Sequence, residues 1–454
     1  MNFEIPNDFF DPLPNRDERW PNHPELRRAV NWLKSFMSEK DWIKRREVAT
    51  RRLYAAAIGL LNDPTGKGRI FSENDTFGWY LFLAEACLDH FWNYEPVFGS
   101  RVVPLLMAIG RDLPLLESIP GLNARVCKMV GADRRQPNGC LFELLVAAAY
   151  RRCGAKVEFV EEKPGKKRTH DMNIELDGQI WAVECKRMET GEYGERERTR
   201  MRKLWGPSAA FFRREEKSVF CDVHFTVEID AVPADYLTRK AKQWLESSLS
   251  SFSWNDEIGN GLIRNLDLSP LRTVLTNEYV LGGSSKVFEL LTGQYMRNAS
   301  YISTLKIEPA ENPRYINDCS LAILLRWESM SPASIKGRAR DILNKLSEAT
   351  EQLPDNVPSI VHIGFEAVEG DRVEKARHEK ILATARRFNP GSKSLEYIYC
   401  HYFVPESPPD QAWNYEETTQ WCAIKPSRPR PLREHHLVLP PSATESRPGP
   451  HWQD

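Results

Sequence analysis

The sequence predicts an all-helical N-terminal segment followed by an α/β domain, a mixed β-sheet flanked by helices. Three observations carry this expectation. Apolar residues recur at spacings of three and four between Pro24 and Gly131. From Lys156 onward, runs of strand length alternate with helical stretches. Turn signals, Pro137-Asn138-Gly139 and Asp177-Gly178 among them, fall between these segments.

A chain of 454 residues predicts two or three domains. Its composition, 41% hydrophobic and 28% charged, is that of a globular protein able to bury a large core without staples. The formal net charge is −1, so affinity for a polyanion has to come from local basic patches. The nine cysteines form no C-x-x-C pair, and Cys87, Cys127 and Cys221 sit in apolar runs. That predicts buried reduced thiols and gives no spacing for a zinc site. The first residues, MNFEIPNDFFDPLPNRDE, are acidic and proline-rich, unlike a signal peptide. No apolar run approaches the roughly 20 residues that span a bilayer. The expectation is a cytoplasmic protein without membrane contact.

Residues 1–22 read as an extended arm, because Pro6, Pro12, Pro14 and Pro21 interrupt any periodicity. Residues 23–135 read as an α-helical domain. In it, Leu26, Val30, Leu33 and Met37 share a face, basic residues lead into LYAAAIGLL, and 77–91 and 102–116 continue the pattern. The α/β domain is expected over 136–405. It opens on the helix CLFELLVAAAYRRCG, with Asn138 as a capping residue and Gly154 as a stop. Strands follow at 156–161, 169–176 and 179–185, the last two joined by the hairpin dipeptide Asp177-Gly178. Residues 189–216 read as a charged helix broken at Gly206-Pro207, and 218–229 as an alternating strand. Ile335, Ala339, Ile342, Leu343, Leu346 and Leu353 predict one amphipathic helix. A strand at 359–365, a helix at 372–388 and a strand at 395–404 complete the domain. Residues 406–454, rich in proline and polar side chains, read as a disordered tail.

The chemistry concentrates in the Asp-Gly hairpin. In the strand IWAVECK, alternation puts Glu184 and Lys186 on one face and Val183 and Cys185 on the other. A two-residue turn sets Leu176 against Gln179 and Met172 against Val183, which brings Asp171 beside Glu184. Two close carboxylates raise each other's pKa. A hard divalent cation relieves that repulsion, and oxygen ligands suit Mg²⁺. An ammonium beside them can stabilise charge on a phosphoryl oxygen. Glu143 adds a third acid, one turn into an otherwise apolar helix, where an uncompensated carboxylate is costly.

A helix bearing Glu, then a strand-leading Asp, then apolar-Glu-x-Lys resembles the PD-(D/E)XK, or restriction-endonuclease-like, nuclease superfamily. The matching segments are FELL at 142–145, THD at 169–171 and VECK at 183–186, within residues 138 to 230. His170 stands where the motif has proline, and no glutamine motif follows in the next helix. The resemblance implies a core sheet of about four strands and catalytic residues Glu143, Asp171, Glu184 and Lys186. It implies Mg²⁺, with Mn²⁺ able to substitute, on Asp171 and Glu184, with the carbonyl of Cys185 in the shell. It further implies a DNA endonuclease leaving a 5′-phosphate, acting in restriction or defence, as a homodimer or with a partner protein. The alternative is a nuclease-like fold that has lost activity and binds nucleic acid or protein. Lys166, Lys167 and Arg168 precede Asp171 and Arg187 follows the motif; these are the expected phosphate contacts. GGSSK at 282–286 lacks P-loop spacing and implies no nucleotide hydrolysis.

Overall fold

The computed structural model describes residues 9–10, 23–59, 70–161, 169–189, 191–433, 436–440 and 449–453. Apart from Phe9 and Phe10, the expected N-terminal arm lies outside the described residues. Helices α1 (Pro24–Lys34), α2 (Glu39–Ala57), α3 (Thr76–Asp89), α4 (Pro96–Leu116) and α5 (Leu122–Val130) form the N-terminal segment. Ser38 caps α2 by accepting the Asp41 amide at 3.1 Å, and Asp75 caps α3 through Gly78. Helix α6 (Asn138–Arg152) leads into strands β1 (Lys156–Phe159), β2 (Met172–Leu176) and β3 (Gln179–Met188). Helix α7 (Glu192–Arg214) runs unbroken through Pro207, against the predicted break. Met201, Leu204, Trp205 and Phe212 are buried on its inner face, and packing of that stripe holds the helix across the missing amide.

A second unit follows: β4 (Val219–Phe225), α8 (Tyr236–Ser247), β5 (Ser251–Asn255), β6 (Gly259–Asn265), α9 (Ser269–Leu275), β7 (Val280–Leu281), α10 (Ser285–Thr292), β8 (Ser300–Pro309) and β9 (Tyr315–Ser329). The amphipathic stretch after it forms two helices, α11 (Pro332–Arg338) and α12 (Leu343–Gln352), and not one. Asp341 fixes the break, because its carboxylate accepts the Ile342 amide at 2.6 Å and the Thr384 hydroxyl at 2.8 Å. The chain ends with β10 (Ser359–Glu366), α13 (Asp371–Arg387), β11 (Leu395–Glu406) and β12 (Asn414–Ala423).

The elements form two sheets. The first has the order β1-β2-β3-β10-β11-β12. β1, β2 and β3 are antiparallel, β10 and β11 run parallel to β3, and β12 closes the edge antiparallel. β3 and β10 are neighbours in space, yet the whole second unit lies between them in sequence. That unit carries its own sheet, β5-β6-β4-β9-β7, with β8 also on β9. The fold is therefore mixed α/β with an inserted second sheet, where one continuous α/β domain was expected. β4 is central in its sheet, and so Phe220 is buried as well as the alternating Val219, Cys221, Val223 and Phe225.

The N-terminal helices do not hold a core of their own. Leu26, Phe82, Ile109 and Val126 belong to one apolar cluster with Leu144, Val183, Ile360 and Tyr399. Arg314 ties the inserted unit to this body by donating to the Trp92 carbonyl at 2.5 Å and the Tyr94 carbonyl at 2.8 Å. A buried polar chain links α6 to three strands: Tyr150 hydroxyl to His362 Nε2, His362 Nδ1 to His401 Nε2, and His401 Nδ1 to Thr419, each 2.9 Å. Cys127 is exposed, whereas Cys87 and Cys221 are buried. No helix among the described residues is long and apolar enough to cross a membrane.

The tail expected to be disordered instead carries the edge strand β12, and Leu432, Leu437, Val438 and Trp452 are buried. Glu417 explains the order. Its buried carboxylate accepts the amides of Leu437, Val438 and Leu439 at 2.7, 2.9 and 3.2 Å. Glu417→Ala would leave those amides without acceptors, at a cost of roughly 2–4 kcal/mol. Urea unfolding should report that loss, and limited proteolysis should cut near residue 437. A variant as stable and protease-resistant as the parent would refute this role.

Candidate active site

Asp171, Glu184, Lys186 and Glu143 converge at the point where β2 and β3 part. The hairpin register pairs Met172 with Val183 and Leu176 with Gln179, as a two-residue turn at Asp177-Gly178 requires. Both turn residues have positive φ, 52° and 74°, which Asp and Gly accept. At the far end the Asp171 amide donates to the Val183 carbonyl at 3.1 Å. The next inward amide of β3, that of Cys185, is met by the Asp171 carboxylate Oδ2 at 2.8 Å instead of by a backbone carbonyl. The Asp171 carbonyl turns the other way, accepting the Val160 amide at 2.9 Å and Arg125 at 3.1 Å. The ladder therefore opens at Asp171, and its carboxylate stands in the notch.

Glu184 is 1% exposed, on a strand covered on both faces. Its Oε1 pairs with Lys186 Nζ at 2.6 Å, while its Oε2 is buried and meets no hydrogen-bond donor. Glu143, on α6, pairs through Oε2 with Arg125 at 3.2 Å, and Arg125 also approaches Asp171 Oδ1 at 3.6 Å. Glu348 of α12 reaches Lys186 at 3.7 Å. Arg125 and Glu348 complete the site and were not legible from sequence. α5 carries no motif, and α12 lies beyond the insertion.

Burial dominates the electrostatics. It raises the Asp171 pKa above the ordinary carboxylate value, against the pull of Arg125 and the Cys185 amide. Burial, and then Asp171, push Glu184 up to about 9, with Lys186 opposing. Burial works against the Lys186 ammonium, but Glu184 and Asp171 outweigh it, and its pKa is raised. A pair of buried carboxylates that must hold a proton at neutral pH, beside a fixed cation, is the arrangement expected of a functional site and costs stability.

Arg187, expected at the phosphate, turns to the opposite face of β3. Its guanidinium lies 4.8 Å from the Phe403 ring centroid and 3.6 Å from Glu366, with the side chain 8% exposed. Lys166, Lys167 and Arg168 lie outside the described residues. Among the described residues, no group of three or more His, Cys, Asp or Glu side chains is placed to hold a metal ion. The donor set nonetheless fits a hard cation that keeps most of its waters, since two carboxylates suffice for Mg²⁺. The buried Glu184 Oε2, which meets no hydrogen-bond donor, would be one ligand atom for such a cation. The chain matches no protein family, no curated protein and no solved structure.

Proposed function

We propose that the chain is a metal-dependent nuclease of the PD-(D/E)XK type that hydrolyses phosphodiester bonds in DNA. The observation that carries this reading is the buried Asp171–Glu184 pair facing Lys186 at the opening of the β2–β3 ladder. Four consecutive strands, β1-β2-β3-β10, with α6 and α12 against them, support the restriction-endonuclease-like core. Asp171 and Glu184, with the Cys185 carbonyl, would hold Mg²⁺ or Mn²⁺. When bound, such a cation polarises the phosphoryl group and acidifies a water.

The chain's own residues supply the rest. Asp171 is oriented by the Cys185 amide on Oδ2, so its Oδ1, which faces Arg125 at 3.6 Å, keeps one direction. Glu184, once ionised, presents Oε2 into the notch. Lys186 stabilises the charge that builds on the phosphoryl oxygens as water adds to phosphorus and the P–O3′ bond breaks. The 3′-oxygen takes up a proton, leaving a 3′-hydroxyl and a 5′-phosphate. Lys345 pairs with Glu348, which itself reaches Lys186, so Lys345 is a cation beside this site that can grip a flanking phosphate.

The test is incubation of plasmid, linear and single-stranded DNA, and RNA, with the full chain in Mg²⁺ or Mn²⁺ and with a chelator. The expected result is cation-dependent cutting of DNA with 5′-phosphate ends. Absence of cutting from every substrate, with cation present, would sink the nuclease reading. One observation favours the second reading, a non-hydrolytic nucleic-acid-binding module: Arg125 already bridges Glu143 and Asp171. If Arg125 merely orients the acids, Arg125→Ala lowers cleavage. If it blocks the site, Arg125→Ala creates cleavage the parent lacks.

A further inference from the structure

The segment that follows β12 carries a row of cations that the carboxylate site does not use. Residues 425–433, KPSRPRPLR, hold Lys425, Arg428, Arg430 and Arg433 and no acidic residue. Pro426, Pro429 and Pro431 favour an extended chain, which advances about 3.1 Å per residue and sets its side chains out along a line. With a net charge of −1 over the whole chain, such a row is a local feature.

Buried contacts fix the row in place. The Glu396 carboxylate is buried and accepts the amides of Ser427 and Arg428 at 3.0 and 3.1 Å and the Arg428 guanidinium at 2.6 Å. The Tyr397 hydroxyl donates to the Arg428 carbonyl, and Leu432 is fully buried. Arg428 also donates to Gln179, the first residue of β3, at 2.9 Å. Arg433 comes within 4.0 Å of Asp177 in the β2–β3 turn. The row therefore starts at the end of β12 and runs across one end of the first sheet to the hairpin turn, with β11 and β10 between in the sheet order. Four strand spacings of about 4.8 Å make its span about 19 Å.

Arg428 is engaged by Glu396, but the other three cations are not matched. Among the described residues the side chains of Lys425 and Arg430 have no ion pair and no hydrogen bond, and Lys425 is exposed. Arg433 and Asp177 are 82% and 79% exposed, and an ion pair that open to water contributes little. The Arg430 guanidinium instead lies 4.7 Å from the centroid of the Trp421 ring. Trp421, on the edge strand β12, is 44% exposed, one of few large apolar side chains left in the open. The row thus combines unmatched cations with an exposed indole.

We infer that this row binds a single strand of nucleic acid, with phosphates along Lys425, Arg430 and Arg433 and a base stacked on Trp421. Cations that follow a backbone beside an aromatic platform are what an unpaired strand recognises, because its bases offer free π-faces that a duplex keeps stacked inside. A membrane surface would call for a broad apolar face, and the row offers one indole among prolines and cations. Asp171 and Glu184 lie at the opposite end of the β2–β3 hairpin from Asp177, so the inference does not rest on the nuclease reading.

The experiment is fluorescence anisotropy of labelled DNA and RNA strands of about 20 nucleotides, and of the matching DNA duplex, titrated with the full chain in EDTA so that no strand is cut. At least one of the two strands is expected to bind with a Kd below about 10 µM in low salt, and the duplex at least about fivefold more weakly. The ratio between the DNA and RNA strands identifies which of them the row prefers. Lys425→Gln/Arg433→Gln, at two exposed positions, is expected to weaken strand binding about tenfold and to flatten its salt dependence by about 1.4 in log–log slope, two contacts at about 0.7 each. Trp421→Ala is expected to weaken it about fivefold or more with the slope unchanged. Circular dichroism checks that both variants fold. No binding of either strand, a duplex bound as tightly, or indifference to both variants overturns the assignment. Binding of phosphatidylserine vesicles in place of the strands, lost in the same variants, overturns it too, by assigning the row to a membrane.

Discussion

Lys186→Ala should reduce cleavage by about 10²- to 10³-fold, the loss usual when one preorganised charge is removed from a transition state. The fold should survive. The Lys186 side chain is 13% exposed, and among the described residues its ammonium pairs with Glu184 and Glu348. Removing it does not strand a bare charge in the core, because Glu184, already pushed up to about 9, takes a proton. Single-turnover cleavage in Mg²⁺ measures the effect, with thermal unfolding as the control. A rate within a few fold of the parent would mean that Lys186 only neutralises Glu184.

Glu184→Gln should abolish cleavage and at the same time stabilise the protein at alkaline pH. The folded-state pKa of Glu184 lies above its unfolded value, 4.5 against about 9. Between those values the folded chain holds a proton that the unfolded chain has lost. Stability from this group is therefore full below about pH 4.5 and falls as pH rises toward 9. Glutamine does not titrate, so the variant escapes the loss, and the gain at pH 8 is on the order of 1–3 kcal/mol. Denaturant unfolding at pH 6 and pH 8 tests this. A variant no more stable than the parent at pH 8 would show that Glu184 is not held against its own charge. On the nuclease reading, function and stability would pull apart at this residue, as expected where carboxylates are kept close for a ligand.

Much of this site can be read from a short stretch of sequence, for a physical reason. Asp177-Gly178 admits one tight turn, the turn sets the register, and the register sets Asp171 beside Glu184. Alternation along β3 then assigns Lys186 to the face of Glu184, and the apolar run around Glu143 marks its helix as buried. Arg125 and Glu348 escape because they arrive by tertiary packing, one from a short helix and one from across an insertion. Arg187 was misplaced by its nearness in sequence; one step along a strand turns a side chain to the other face. The insertion is equally invisible, since β3 and β10 pair in parallel and nothing local records what lies between them. The tail was misread because its order comes from a buried carboxylate, Glu417, and not from apolar periodicity.

The central claim, that Asp171 and Glu184 form a cation site, is met most directly by calorimetric titration of Mn²⁺ into the full chain and into Asp171→Asn, in buffers of different ionisation enthalpy. The account predicts binding by the parent with release of close to one proton at pH 7, because the carboxyl pair must give up the proton it holds. It predicts that Asp171→Asn weakens that binding at least about tenfold. Binding without proton release, or binding that ignores the loss of Asp171, would place the cation elsewhere and contradict the account.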